Sequence, residues 1–292
     1  MLTKIPKIAH FYWDGSRMAY LQYLTIVSFH KWNPDWKIMI YTPKIKYSGN
    51  ITWKTHEQRG DYNGINYYPM FKRLPYIEQV IVDFDEYEDI PNDIPETYKS
   101  DLLRWHLLAT KGGLWSDMDV LYIKPIKEIN IPRDTEFTIC KLAATDKKEF
   151  HIIGFYLSTN NNPFFGHIVK YAPHYLSLDN YQSVGSTLLN QLYPNDNEIR
   201  SVTKKMLYTK LGMDVLYAYP PFDEQNSNQL PALFAKKDLS RVTKNTIGIH
   251  WYNGHGMAKS FNNEFNHLTM GQFDNTITHY IKLLNKDAEI IY

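Results

Sequence analysis

Between residues 8 and 43 the chain reads as strand, loop, helix and strand, and this opening limits the fold more than any other feature. Ile8-Ala9-His10-Phe11-Tyr12-Trp13 is a short apolar and aromatic run ending at Asp14-Gly15, a turn signal. Met18 to Trp32 is apolar-rich, free of Gly and Pro and long enough for a helix, and Asn33-Pro34-Asp35 stops it. Lys37 to Thr42 is a second strand, closed by Pro43. A strand-helix-strand opening is the signature of a parallel α/β sheet. Composition agrees: 43% of the 292 residues are hydrophobic and 22% charged, which excludes disordered, collagen-like and coiled-coil chains.

Further along, residues 49–70 read as loop and Glu78 to Phe84 as a strand. Pro95-Glu96 opens a helix with Pro at N1, running through Leu102, Leu103, Trp105 and Leu108 to a Lys111-Gly112-Gly113 stop. Leu114 to Ile123, Phe137 to Leu142 and Gly154 to Ser158 read as extended. The chain beyond Pro163 reads as largely helical up to about Lys210. Strands at Val215–Tyr219 and Thr246–Trp251 follow, then a closing helix over Gln272–Leu284. The expected organisation is a single domain over 1–292, with a nucleotide-binding-type half over 1–142 and a second half, 143–292, completing it. The lone cysteine, Cys140, excludes an internal disulfide and a multi-Cys zinc site, and reads as a buried thiol. No signal-peptide pattern opens the sequence and no run approaches the ~18 apolar residues of a transmembrane segment, so the expected location is cytoplasmic.

The chemistry concentrates in Ser100-Asp101-Leu102-Leu103-Arg104 and Gly112-Gly113-Leu114-Trp115-Ser116-Asp117-Met118-Asp119. In an extended segment, residues i and i+2 share a face, so Asp117 and Asp119 present two carboxylates together at a sheet edge. Two hard oxygens suit Mn²⁺ or Mg²⁺ carrying substrate phosphates. Among nineteen Asp, about one Asp-x-Asp triplet arises by chance, and Asp83-Phe84-Asp85 reads as that copy. The copy at 117 differs in context. Asp101 and Arg104 stand at i and i+3 on the preceding helix, and the glycine pair returns that helix end to the Asp-x-Asp segment. A carboxylate beside a guanidinium can accept from and donate to sugar hydroxyls.

These blocks resemble the glycosyltransferases with a DXD sugar-binding region, a group that includes the yeast-type initiating mannosyltransferases and is related to the glucosylating domain of the large clostridial toxins. The run Ser-Asp-x-x-Arg, a glycine pair and an aromatic two residues before Asp-x-Asp carry the likeness. The opening Ile5-to-Gly15 block and the late His250-Trp251-Tyr252 resemble the family's first strand and its C-terminal metal-and-diphosphate segment. The resemblance implies a GT-A fold, Rossmann-like, with a mixed, mainly parallel sheet flanked by helices. It also implies a nucleotide-sugar donor (a UDP- or GDP-sugar), a divalent metal and retention at the anomeric carbon.

Carried over by position, Tyr12 and Trp13 would border the nucleotide, with Trp13 stacked on the base. Asp101 and Arg104 would hold donor-sugar hydroxyls, and Trp115 takes the family's aromatic position, where a Tyr hydroxyl is common. Asp117 would touch ribose, sugar or metal and Asp119 would bind the metal directly. His250 is the candidate third ligand, and a structural histidine beside Trp251 is the alternative. His255, in Asn253-Gly254-His255-Gly256, belongs to a loop that would close over the diphosphate, and a plain surface turn explains it equally. Ser183-Val184-Gly185-Ser186-Thr187 lies where the family often has a Thr-Gly-Pro-like segment, but lacks the Pro, so no role is carried over.

Nucleases and phosphatases also use Asp-x-Asp with a metal, but with more clustered carboxylates or histidines. A non-catalytic sugar-binding module would not need the metal motif. The favoured acceptor is a saccharide. The runner-up is a hydroxymethylated base in bacteriophage DNA, which requires a basic groove. Residues 83–101 hold eight acids and one base, leaving 31 bases against 23 acids elsewhere, a surplus of eight. Arg200, Lys204, Lys205 and Lys210, with Lys236, Lys237, Arg241 and Lys244, would line such a groove, and a solvated helix face is the plainer account of either cluster.

Overall fold

In β1 (Ile8–Tyr12), side chains alternate between two apolar layers: Ala9 and Phe11 enter one, Tyr12 the other. The structure is a computed structural model that describes residues 3–53, 62–143, 149–221 and 227–286. After β1 come α1 (Tyr20–Trp32), β2 (Lys37–Pro43), α2 (Tyr68–Phe71), β3 (Ile77–Val82) and α3 (Glu96–Thr110). Next are β4 (Gly113–Ser116), β5 (Val120–Tyr122), β6 (Phe137–Ala143), β7 (Glu149–Ile152) and β8 (Phe155–Ser158). Helices α4 (Pro163–Tyr175), α5 (Ser186–Leu192) and α6 (Asp196–Thr203) precede β9 (Tyr208–Leu211). The last elements are α7 (Leu230–Phe234), β10 (Gly248–His250), α8 (Gly256–Glu264) and α9 (Thr276–Lys286).

The main sheet runs β3-β2-β1-β4-β8-β6-β7, with β9 also paired to β6. β1, β2, β3 and β4 are mutually parallel, as the opening pattern predicted, and β9 is parallel to β6. β8 runs antiparallel to β4 and β6, and β7 antiparallel to β6. The layer holding Ala9 and Phe11 draws on α1, α7, α8 and α9; the opposite layer draws on α3, α4, α5 and α6. This is the expected α/β architecture, a mixed and mainly parallel sheet flanked by helices.

Several expected elements differ. The extended run 114–123 is two strands in two sheets, because β5 leaves the main sheet to pair antiparallel with β10. The region expected to be helical up to Lys210 ends in β9, where Tyr208 and Thr209 suit a strand beside β6. Val215–Tyr219 is not a strand: Met213–Val215 forms a 3₁₀ turn, and the Val215 and Leu216 carbonyls accept single bonds from the amides of Ile247, just before β10, and His250, within it. Pro95 caps α3 instead of occupying its first turn. Part of the 49–70 loop, residues 54–61, lies outside the described residues.

Candidate active site

The site begins at the turn that follows α3. Gly112 and Gly113 have φ of 65° and 94°, and a Cβ on Gly113 would stand 2.3 Å from the Ile8 carbonyl oxygen. Only glycine fits both the conformation and the approach to β1. Buried His10 fastens the turn. Its Nε2–H donates to the Gly112 carbonyl at 2.8 Å, which leaves Nδ1 to accept the Tyr41 hydroxyl at 2.9 Å. Burial lowers the His10 pKa to about 4, so this imidazole is neutral at physiological pH.

β4 then delivers Asp117, but not along a continuous strand. Residues 117–119 turn: the Asp117 amide donates to the Gly154 carbonyl at 2.9 Å, and the Asp119 carbonyl accepts the Trp251 amide at 2.8 Å. The carboxylates therefore come together through a change of sheet, not through the strand alternation expected from sequence. The same change brings β10 alongside and places His250 beside them. One ligand atom from each of Asp117, Asp119 and His250 lies within 4.8 Å of the others. Two carboxylates and an imidazole fit Mn²⁺, with Mg²⁺ less suited to the nitrogen.

Each member is oriented. Asp117 Oδ1 accepts from Arg104 Nη2 at 3.0 Å and from the Trp115 indole at 3.1 Å. Asp119 Oδ2 accepts the Asn253 amide at 2.9 Å, and Oδ1 faces His250 Nε2 at 3.1 Å. Burial alone would raise the Asp119 pKa, but His250 and the Asn253 amide together hold it below the usual carboxylate value. His250 Nδ1 accepts the amide of Tyr252, a residue in the left-handed region (φ 53°), so the ring proton sits on Nε2 facing Asp119 Oδ1, and a cation on Nε2 would require that proton to move to Nδ1 and the amide bond to open.

Arg104 is buried and binds Asp101 Oδ1 as well, at 3.0 Å, while its guanidinium lies 5.0 Å from the Trp115 ring centre. Burial opposes its charge, but Asp101 and Asp117 outweigh that and raise its pKa. Its Nε and Nη1 have no hydrogen-bond partner among the described residues. Trp115 thus donates to Asp117 through its indole N–H at a position where relatives commonly carry a Tyr hydroxyl.

The other nominated residues are placed as follows. The Tyr12 hydroxyl donates to Glu96, which also accepts the Tyr47 amide at 2.7 Å and buried Lys99 at 3.2 Å. Trp13, half-buried just past β1, donates its indole N–H to Ser16 O at 3.1 Å. His255 ends the turn that precedes α8 and is that helix's N-cap, its Nδ1 accepting the Met257 amide at 3.2 Å. Asp83 caps a turn and pairs with Lys44, and Asp85 accepts from Asn92, so the second Asp-x-Asp is structural. Cys140 is buried in β6, which pushes its thiol up to about 12 and leaves it unreactive.

Sequence reasoning missed three contributors. A Cβ on Gly154 would stand 2.9 Å from Asp117 Oδ2, 3.0 Å from the Tyr217 hydroxyl and 3.3 Å from His250 Nε2, so bare backbone floors the cluster. Tyr217 arrives on the segment after the 3₁₀ turn, its ring 5.1 Å from that of His250. Gly185, the N-cap of α5, lies against Asp101: a Cβ there would stand 2.8 Å from Asp101 Oδ2 and 3.0 Å from Gln182 Oε1. The only advance signal was the Ser183–Thr187 segment, which the missing Pro had set aside.

A family model for capsular polysaccharide synthesis proteins matches residues 77–247, over half of the 292 residues. The chain belongs to the capsular polysaccharide synthesis protein family. The matched span runs from β3 through α3, the glycine turn, Asp117 and Asp119, and stops just short of His250. Membership bears out the enzyme class implied by the sequence, a glycosyltransferase. No curated protein matches the chain. Among solved structures, similar chains include the PaToxG glycosyltransferase, with 19% identity over 68% of this chain and 74% of that one, at a TM-score of 0.42. An active-site mutant of LgtC aligns at 15% identity over 84% and 87% of the two chains, with a TM-score of 0.39. The UDP-bound glycosyltransferase domain of the YGT toxin aligns at 8% identity over 71% and 79%, with a TM-score of 0.41. These are distant likenesses. No helix among the described residues is long and apolar enough to cross a membrane.

Proposed function

We propose that this chain is a metal-dependent, retaining glycosyltransferase that moves a sugar from a UDP- or GDP-sugar to a saccharide hydroxyl, and that residues 1–292 act as one catalytic unit. The observation that carries the metal and donor reading is the convergence of Asp117, Asp119 and His250 at one point beside Arg104 and Asp101. The family's description, polysaccharide synthesis, supports the saccharide acceptor.

Cleaving a sugar–diphosphate bond leaves positive charge on the ring and negative charge on the leaving group. A divalent cation held by Asp117, Asp119 and His250 would offset the latter charge. The chain's own residues prepare the site for it. Arg104 and Trp115 hold Asp117 Oδ1, turning Oδ2 toward the cluster. The Asn253 amide fixes Asp119, and the rings of Tyr217 and Tyr252 pack against the His250 ring. Asp101, with one oxygen on Arg104 and the other beside Gly185, would accept a donor-sugar hydroxyl. Each of these carboxylates has at least one oxygen tied to Arg104, Asn253 or His250, and none among the described residues stands apart from the cation and sugar positions as a separate nucleophile. That supports front-face departure, with the leaving phosphate taking the acceptor's proton.

The test is nucleotide release from a panel of nucleotide sugars, with Mn²⁺ or chelator, for wild type and Asp119→Ala. Release from one donor, dependent on Mn²⁺ and reduced at least ~100-fold in the variant, is expected from the loss of a direct ligand. Equal release with chelator, or full activity in a folded Asp119→Ala protein, would contradict the metal assignment.

A further inference from the structure

We propose that Tyr217 is a positioning residue of the cation site, donating its hydroxyl to an oxygen that the bound cation carries; this rests on the metal reading above. Tyr217 is 2% exposed, and its hydroxyl has no hydrogen-bond partner among the described residues. It is aimed at the cluster: a single point over the Cα of Gly154 lies 3.0 Å from it, 2.9 Å from Asp117 Oδ2 and 3.3 Å from His250 Nε2. Asp117 Oδ1 is already taken by Arg104 and Trp115, so Oδ2 is the oxygen left for a cation.

A buried hydroxyl without a partner is a net cost to folding, and phenylalanine would pack the same ring against His250 without that cost. Tyr217 carries a donor where the neighbouring groups Oδ2 and Nε2 are both atoms a cation would occupy. What such a donor can then reach is an oxygen on the cation, either a coordinated water or a diphosphate oxygen. The backbone supports this placement. The Tyr217 amide is bonded to Met213 O at 2.7 Å, and the adjacent Leu216 carbonyl accepts the His250 amide at 2.8 Å, so hydroxyl and imidazole are set by one local framework.

Mn²⁺ binding followed by the electron paramagnetic resonance of the free ion tests this directly, on the full chain, with and without UDP or GDP. Wild type, Tyr217→Phe and Asp119→Ala are compared, each with its melting temperature. The expected result is a rise of about 10-fold in the apparent Mn²⁺ dissociation constant for Tyr217→Phe, as for loss of other groups supporting metal ligands. Its melting temperature should be equal to or above wild type, and Asp119→Ala should lose binding. A rise already present without nucleotide identifies a coordinated water as the partner; one that needs nucleotide identifies the diphosphate. Mn²⁺ binding by Tyr217→Phe at wild-type strength overturns the role of Tyr217 while leaving the metal reading intact. Absence of Mn²⁺ binding in wild type overturns both.

Discussion

Gly154 has no side chain, and the site has no room for one. Its carbonyl holds the Asp117 amide while its bare Cα faces Asp117 Oδ2, the Tyr217 hydroxyl and His250 Nε2. Alanine would set a methyl at 2.9–3.3 Å from all three, in the space a cation and its oxygens require. Gly154→Ala should therefore leave the fold in place, with a melting temperature within a few degrees of wild type. It should cut Mn²⁺-dependent nucleotide release by about 10-fold or more, the scale of losing a group that supports a metal site; unchanged release would show that the cation sits elsewhere. Nothing in the sequence marked this glycine, since its neighbours are supplied by the turn after β4, by β10 and by the segment after the 3₁₀ turn. Asp117 and Asp119, by contrast, were legible because motif and chemistry lie within three consecutive residues.

At the scale of elements, the site depends on how β4 starts and where it stops. The start is fixed by Gly113, so Gly113→Ala should destabilise the protein by about 2 kcal/mol or more through positive φ and a 2.3 Å clash with Ile8 O, seen as a lower urea midpoint. His10 contributes a pH term. Its folded pKa of about 4 lies below the ordinary 6.5, so between these values the unfolded chain holds a proton that the folded chain does not. The stabilisation is complete above pH 6.5 and is lost as pH falls toward 4, by about 3 kcal/mol in all. The melting temperature of His10→Gln should fall less steeply than that of wild type over that window. The sequence showed β4's helix-glycine-strand lead-in plainly. It did not show the stop at Ser116, because apolar residues continue through Val120 and Leu121, and the change of sheet is decided by β10, more than a hundred residues later.

Across the whole molecule, charge bears on the two acceptor classes weighed from sequence. The acidic run 83–101 is not a bare anionic loop: Asp83 pairs with Lys44, Asp89 with His106, Glu96 with Lys99 and Asp101 with Arg104. The basic residues offered for a DNA groove are also partly engaged. Lys210 pairs with Asp196 at 2.8 Å, and the Arg200 guanidinium lies 6.0 Å from the Tyr208 ring centre. Duplex binding that uses six or more phosphates loses about 10³-fold in affinity between 50 and 200 mM salt. With its net charge of +1 and these pairings, the protein should show no such slope on duplex DNA carrying hydroxymethylated bases. Transfer should instead appear with an oligosaccharide acceptor and vary little over the same salt range. A steep salt-dependent affinity for the DNA, with label moving from nucleotide sugar to base, would reverse the choice of acceptor and leave the donor and cation assignments untouched.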